Sequence, residues 1–199
     1  MMKKTILIMI MIGCVFMTAC NGNGNPGENN ANTNSLSGGN PVVQMEVENF
    51  GTMTIELYPE YAPNTVNNFI DLVEKGLYDG LEFHRIIAGF MIQGGNAQGT
   101  PKASLTTPIK GEFASNGFAQ NTLKHTEGVI SMARTGDPNS ATSQFFIMHD
   151  AAPHLDGAYA GFGMVTEGLD VIDKIATTPL AGEVPIDPVV IKSVKVISK

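Results

Sequence analysis

The chain has 199 residues, of which 43% are hydrophobic and 16% charged, enough apolar material for one domain with short appendages. Its formal charge is −7, from 12 Lys and Arg residues against 19 Asp and Glu residues. This acidic balance argues against nucleic acid and anionic membrane surfaces as electrostatic partners. No apolar run reaches 18 residues, so we expect no transmembrane helix in the mature protein.

The first residues, 1–19, have the pattern of a signal peptide. A lysine-bearing start precedes an apolar run at 6–17 that is too short to span a bilayer comfortably. The sequence MTAC at 17–20 resembles a bacterial lipobox, in which signal peptidase cuts before the cysteine and the thiol is acylated. Its first residue is Met, where Leu is commoner. We therefore expect Cys20 to be lipidated, and the alternative is an ordinary secretory signal cut after Ala19.

The cysteine count agrees with a lipid anchor. The chain has two cysteines, and Cys14 would leave with the signal peptide. Cys20 would then be the first residue and the sole thiol of the mature chain, so no disulfide is possible. Lipidation would explain why an exported protein has a single cysteine that cannot form a disulfide. The sequence predicts an extracytoplasmic protein held at the cell membrane by its lipid.

A tether rich in Asn and Gly follows the cysteine, so that 20–41 form one lipidated and flexible segment. Residues 21–40 contain almost no large apolar side chain and cannot bury enough surface to offset the entropy of ordering. Such a coil spans roughly 25 Å r.m.s.. Within it, GNGNPG at 22–27 fits the dinucleotide motif G-x-G-x-x-G, but no strand precedes it and no helix follows. The folded domain is predicted to be 42–199.

The domain has the pattern of a mainly β protein. Alternation in period two at 42–58, on both sides of an Asn-Phe-Gly turn, predicts a β-hairpin. Apolar residues at helical spacing predict helices over 62–76 and 169–176, and a closing strand is predicted over 188–197. Short apolar runs separated by turn residues predict the remaining strands: FHRII, GFMIQ, GVISMA, QFFIM and GFGMV. Together they predict a closed antiparallel barrel with helices packed over its ends.

Metal and hydrolase chemistry have little support. The four histidines are scattered, with no H-E-x-x-H and no cysteine cluster, so we expect neither a metal nor a cofactor. His149, Asp150, His154 and Asp156 are close in sequence and form a candidate metal site, for which a polar loop is the alternative. No G-x-S-x-G is present, and the spacing of the serines near His149 does not suggest a relay.

The remaining candidate chemistry centres on Arg85, in FHRIIAGFMIQGG at 83–95. A buried guanidinium without partners is costly, which places this charge at the rim of an apolar cleft. Apolar residues near it in the sequence and in two later segments are suited to a pocket for a small ring: Phe90, Met91, Phe146 and Leu155. An arginine at its edge can donate to a lone pair without transferring a proton. The alternatives are that the apolar residues are only core and that Arg85 forms a surface salt bridge.

At these residues the chain resembles the cyclophilin family of peptidyl-prolyl cis–trans isomerases, over roughly 42–198. The strongest block is 83–95, and GVISMAR, SQFFI and LDGAYAGFG follow in family order. The resemblance implies a closed eight-stranded antiparallel β-barrel capped by two α-helices, with the active site on its outer face. It implies a monomeric isomerase of X–Pro bonds whose partners are proline-containing polypeptides.

Site residues carried over from the family have distinct roles. Arg85 would be catalytic and Gln93 would orient it and meet the substrate backbone. The proline pocket would be lined by Phe90, Met91, Phe146 and Leu155. Ala133 and Gln144 would flank the peptide groove. Further substrate contacts would come from His84, Arg134, His154 and Tyr159.

Four positions depart from the usual family pattern. Ala88 replaces a proline in a turn. Arg134 stands where eukaryotic members usually have Asn, which bears on the residue preferred before proline. His154 occupies the position of a tryptophan that contributes to cyclosporin binding. Tyr159 replaces a histidine, as in many bacterial members.

The sequence therefore predicts an extracytoplasmic, lipid-anchored isomerase that assists the folding of exported proteins. The main alternative is a proline-peptide-binding chaperone module with little turnover. Arg85 together with Gln93 favours the enzyme, because a binder needs only the apolar pocket. A surface adhesin, a third class, has no positive sequence feature.

Overall fold

The structure is a computed structural model that describes residues 39–199. The predicted signal peptide, Cys20 and nearly all of the tether lie outside the described residues. Residues 39–199 contain ten strands: β1 (Val42–Val47), β2 (Gly51–Leu57), β3 (Phe83–Ile87), β4 (Met91–Gly94), β5 (Val129–Met132), β6 (Phe145–Met148), β7 (Gly161–Glu167), β8 (Leu180–Ala181), β9 (Val184–Pro185) and β10 (Ile191–Ser198). The same described part of the chain contains two α-helices, α1 (Pro63–Glu74) and α2 (Leu169–Ala176).

The first hairpin, β1–β2, forms where period-two alternation predicts it. Val43, Met45 and Val47 are fully or almost fully buried, while the residues between them are more exposed. The connecting turn places Asn49 at φ +65°, a left-handed conformation that Asn tolerates better than most residues. The predicted hairpin is confirmed.

Eight of the strands form one antiparallel sheet in the order β10-β1-β2-β7-β5-β6-β4-β3. Its two end strands, β10 and β3, meet through a few backbone bonds where each strand begins. The Phe83 amide donates to the Val189 carbonyl at 2.9 Å, and the Ile191 amide donates to the Leu81 carbonyl at 2.7 Å. The predicted eight-stranded antiparallel barrel with two helices is confirmed, although this short seam, and not a full ladder, joins its ends.

Helix α1 packs its apolar face on an aromatic cluster inside the barrel. The ring of Phe69 lies 5.0 Å from that of Tyr78 and 5.2 Å from that of Phe162, measured between centroids. The Tyr78 hydroxyl donates to the Ser143 carbonyl at 3.1 Å, and burial raises the pKa of Tyr78. The helical spacing that predicts α1 therefore places its buried side chains on the face that meets the sheet.

Helix α2 is confirmed over the predicted range and begins after Gly168, whose φ of +85° is left-handed. A Cβ at Gly168 would lie 2.4 Å from the Thr52 carbonyl oxygen, so the close approach of this turn to β2 requires glycine. The buried face of α2 includes Val171, Ile172 and Ile175. Within residues 39–199, neither α-helix is long and apolar enough to cross a membrane.

Glu112 caps the N-terminus of α1 from a distant loop. Its carboxylate accepts bonds from the Asn64 amide at 3.0 Å, the Thr65 amide at 2.8 Å and the Thr65 hydroxyl at 2.7 Å. Ala62, the residue before the helix, has no side chain that can do this. The first amides of a helix lack partners within the helix, and its positive end favours an anion. The buried carboxylate of Glu112 provides both an acceptor for these amides and a negative charge at the positive end of the helix.

We expect Glu112→Ala to lower the free energy of unfolding by about 2–4 kcal/mol, because it leaves buried donors without an acceptor. Urea denaturation followed by circular dichroism measures this loss. The control is Glu48→Ala, at an exposed glutamate, where we expect a change within about 0.5 kcal/mol. Equal stability of the two variants would show that the cap contributes little.

Candidate active site

The central strands of the site, β5 and β6, are buried on both faces, and β4 is nearly so. Along β4, Met91 and Ile92 point to opposite sides of the sheet, as adjacent residues of a strand do. Ile92 belongs to the main core, whereas Met91 belongs to a second apolar cluster. In the same way, Phe145 lies in the core and Phe146 in the second cluster. The second cluster therefore lies on the face opposite to the barrel interior.

A pocket of about 170 Å³ opens at this second cluster. It is small against the roughly 300–1,000 Å³ of typical ligand sites, and it suits one small side chain. Its lining residues are Arg85, Phe90, Met91, Gln93, Ala133, Arg134, Phe146, Leu155 and Tyr159. All nine are among the twelve pocket and groove residues that the family resemblance implies.

Arg85 lies at the edge of the pocket and its guanidinium is held from two sides. Arg85 and Gln93 are paired across β3 and β4. Nη1 of Arg85 donates to Gln93 Oε1 at 3.4 Å, and Nε donates to Glu183 Oε2 at 2.6 Å. The sequence leaves two interpretations of Arg85 open, a charge at the rim of an apolar cleft and a surface salt bridge. Each describes part of its environment, because Arg85 lines the pocket and also forms an ion pair.

Gln93 connects the arginine to the neighbouring groove. Its Nε2 donates to Gln144 Oε1 at 3.0 Å, and Gln144 Nε2 donates to Asn96 Oδ1 at 3.3 Å. The chain of amides fixes which end of Gln93 faces Arg85, because its oxygen must accept from the guanidinium. Gln144 lines a second, more polar cavity of about 350 Å³, to which Gln93, Ala133 and Arg134 also contribute.

The apolar wall of the pocket is built from stacked rings. Phe146 is almost fully buried and contacts Tyr159 edge to face, with centroids 5.7 Å apart. On another side it stacks on His125 at 6.0 Å with an interplanar angle of 22°. Phe90, at the rim, stacks on His154 at 5.7 Å. These contacts restrict the rings to the positions in which they line the pocket.

Arg134 is a second cation at the pocket. Its guanidinium carbon lies 4.6 Å from the centroid of the Tyr159 ring and 5.1 Å from that of Phe113. Nη2 donates to the Ala158 carbonyl at 3.0 Å and Nη1 to the Thr135 carbonyl at 2.9 Å. Arg134 is thus held by cation–π contacts and by carbonyl acceptors. It forms no ion pair with a carboxylate in the part of the chain that the structure describes.

Three of the predicted residues lie outside the lining of the pocket. His84 lines a separate cavity of about 260 Å³ with Asn96, and burial lowers the pKa of its imidazole. Gln144 reaches the pocket only through Gln93. His154 is exposed and touches the site through Phe90.

The histidines and aspartates of 149–156 are divided between different contacts. His149 lies 3.2 Å from Asp173 of α2 and accepts from the Gly89 amide, whereas Asp156 contacts His125. Among residues 39–199, no group of three or more His, Cys, Asp or Glu side chains is placed to hold a metal ion. The candidate metal site that the sequence suggests is therefore not assembled in this part of the chain.

Sequence reasoning missed two groups near the site. His125 Nε2 lies 3.0 Å from Ser131 Oγ, and Nδ1 lies 3.2 Å from Asp156 Oδ1. This order of atoms is that of a hydrolase relay, but Ser131 is fully buried and offers no nucleophile to the pocket. Burial lowers the pKa of His125, and its ring stacks on that of Phe146. Glu183 is the other missed residue, and no local pattern connects it with Arg85.

The fold and the pocket define a small, largely apolar site with a cationic side chain at its rim, and none of its nine lining residues is a serine, threonine or cysteine. The family described as cyclophilin type peptidyl-prolyl cis-trans isomerase matches residues 42–196. The chain belongs to this family of enzymes, which catalyse the cis–trans isomerisation of peptidyl-prolyl bonds. The predicted family membership and isomerase activity are confirmed, whereas the lipid anchor stays a prediction.

Curated relatives and solved structures agree with this assignment. The chain is 45% identical over 168 residues to a peptidyl-prolyl cis-trans isomerase of Acinetobacter baylyi, a match that covers 79% of this chain and 86% of that one. It is 41% identical to peptidyl-prolyl cis-trans isomerase B of Escherichia coli, over 74% of this chain and 95% of that one. A Cryptosporidium parvum cyclophilin-type isomerase, crystallised in the presence of the dipeptide Ala-Pro, superposes with a TM-score of 0.67 at 30% identity. That superposition covers 79% of this chain and 99% of the other.

Proposed function

We propose that Arg85 is the catalytic donor of this isomerase and that the apolar pocket holds the proline ring. Resonance in the X–Pro amide sets a rotation barrier of about 18–20 kcal/mol. Rotation breaks the conjugation and leaves the prolyl nitrogen pyramidal, with a lone pair. A donor that bonds this nitrogen better in the twisted state lowers the barrier by differential binding.

The contacts of the guanidinium support this role. Glu183 accepts a hydrogen bond from Nε of Arg85, and Gln93 accepts one from Nη1. Nη2 has no hydrogen bond to the described residues. The remaining N–H groups are therefore available to a substrate. Arginine suits the task because it remains charged at any working pH and donates without giving up a proton.

The pocket supports the placement of the ring. Met91, Phe146 and Leu155 are almost fully buried and present apolar surface in a cavity of about 170 Å³. Because Arg85 lines the same cavity, a ring seated there brings its nitrogen close to the guanidinium. This shared cavity is the observation that carries the proposal.

A protease-coupled isomerisation assay on the full chain, with a set of X–Pro peptides, tests the proposal. The rival function is a proline-peptide-binding chaperone module, for which we expect peptide binding with little turnover. Faster isomerisation of the peptides that bind in the pocket would support an enzyme. Tight binding of the same peptides without acceleration would favour the chaperone.

We further propose that the protein is lipid-anchored outside the cytoplasm and assists the folding of exported proteins. The lysine-bearing start, the apolar run and the MTAC motif of the sequence support this, as does the single cysteine that remains after cleavage. One acyl chain gives only marginal membrane binding, so stable anchoring requires more than one. Slow isomerisation, over tens to hundreds of seconds, makes X–Pro bonds a rate-limiting step in folding.

We expect Cys20→Ser to abolish incorporation of labelled palmitate and to empty the membrane pool of processed protein. The reason is that the thiol is the predicted attachment point of the lipid. Cell fractionation with metabolic labelling measures both effects. The matched control is Cys14→Ser, which removes the chain's other thiol and keeps the label. A labelled Cys20→Ser protein would place the lipid elsewhere.

A further inference from the structure

Glu183 lies at the tip of the short β8–β9 hairpin, beside the strand that carries Arg85. Ala181 and Val184 are paired, so Gly182 and Glu183 form a two-residue loop. Gly182 has a φ of +70°, which glycine adopts without strain and which tight hairpin turns require. The turn therefore presents Glu183 from a defined backbone position.

Two bonds attach Glu183 to consecutive residues of β3. Its carbonyl accepts from the Ile86 amide at 2.8 Å, and its carboxylate accepts from Arg85 Nε at 2.6 Å. The backbone bond limits how far the carboxylate can move relative to the strand. Arg85 and its partner are therefore fixed to the same short length of sheet edge.

The ion pair adds little to the stability of the fold. The side chain of Arg85 is 41% exposed and that of Glu183 is 53% exposed, and ion pairs exposed to this extent are weak in water. Its geometric effect is larger, because a guanidinium is planar and rigid. Fixing Nε at Glu183 and Nη1 at Gln93 fixes the plane in which the free Nη2 donors lie.

We infer that Glu183 is a positioning residue, which aims Arg85 into the pocket without touching the substrate. The inference rests on the proposed role of Arg85. Because the guanidinium acts on the twisted amide, loss of its orientation should lower kcat and leave KM nearly unchanged. We expect Glu183→Ala to lower kcat/KM by about tenfold, with Glu183→Gln intermediate because its amide oxygen still accepts from Nε.

A double-mutant cycle tests the inference in the full-length protein, with the same protease-coupled assay and peptide throughout. The variants are Glu183→Ala, Arg85→Ala and their combination. If Glu183 acts through Arg85, its replacement should cost about tenfold in the presence of Arg85 and less than about twofold in its absence. Should Glu183→Ala fold poorly, the same cycle is measured with Glu183→Gln, which keeps the volume of the side chain.

The control is Glu46→Ala, which breaks another exposed ion pair, that of Glu46 with Lys192 at 2.8 Å on β1 and β10. We expect this variant to keep full activity. An equal loss from Glu183→Ala in both backgrounds, or no loss in either, would overturn the inference. An unaffected Arg85→Ala protein would instead refute the proposed role of Arg85, and the inference would fail with it.

Discussion

We expect Arg85→Ala to lower kcat/KM at least tenfold and to leave the melting temperature nearly unchanged. The loss arises because the guanidinium lines the same cavity as the apolar residues and is proposed to bind the twisted amide. Each ~1.4 kcal/mol of transition-state binding is a factor of ten in rate. The fold keeps its stability because Arg85 is partly exposed and its ion pair is weak, so we expect a shift below about 3 °C.

The measurement combines the protease-coupled assay with a thermal melt of each variant. Lys192→Ala is the matched control, since it also removes a cation from an exposed ion pair with a glutamate. Arg85→Lys separates charge from geometry. A lysine keeps the charge but cannot bond Glu183 and the substrate through one planar group, so we expect its activity to stay low. Full activity in Arg85→Ala would show that another group carries the catalysis.

We expect His154→Trp to raise the affinity for cyclosporin about thirtyfold. The resemblance places His154 at a position where the family has a tryptophan that contributes to binding of this drug. Here the side chain is exposed and its ring stacks on Phe90 at 5.7 Å. An indole has a larger flat apolar area than an imidazole and also has an N–H that can donate. One aromatic anchor of this kind contributes about 2 kcal/mol to binding, roughly thirtyfold in affinity.

Inhibition titrations on both proteins, with the same peptide, measure the difference. Catalysis should change by less than about twofold in His154→Trp, because His154 does not line the pocket proposed to hold proline. His154→Ala is the control and should remain as weakly inhibited as the unmodified protein. Nanomolar inhibition of the unmodified protein would show that this position does not govern drug binding.

Much of the fold is predictable because its local patterns are strong. The hairpin of β1 and β2 has one face in the core, so its sequence alternates, and α1 has one apolar face at helical spacing. The strands of the site are different. All four residues of β6 are buried, so periodicity cannot distinguish Phe146 of the pocket from Phe145 of the core. Only the resemblance to the family separated them.

The family resemblance implies the contact of Arg85 with Gln93, eight residues away, but two other contacts of the site could not be predicted, since each joins residues far apart in the sequence. Arg85 and Glu183 are 98 residues apart, and His125 meets Asp156 across 31 residues. A glutamate in a two-residue turn has the pattern of an ordinary exposed loop residue. The fold alone brings it to β3. The seam between β3 and β10 is likewise a few tertiary bonds without a sequence signature.

The short seam between β3 and β10 has a consequence for the exposed edge of β3. It leaves most of β3 without a ladder partner on one side, and free strand edges invite the addition of a foreign strand. The β8–β9 hairpin occupies that side, where the Ile86 amide is bonded to the Glu183 carbonyl. The backbone next to Arg85 is thus already hydrogen-bonded at Ile86. The hairpin therefore covers a stretch of sheet edge to which another strand could otherwise add.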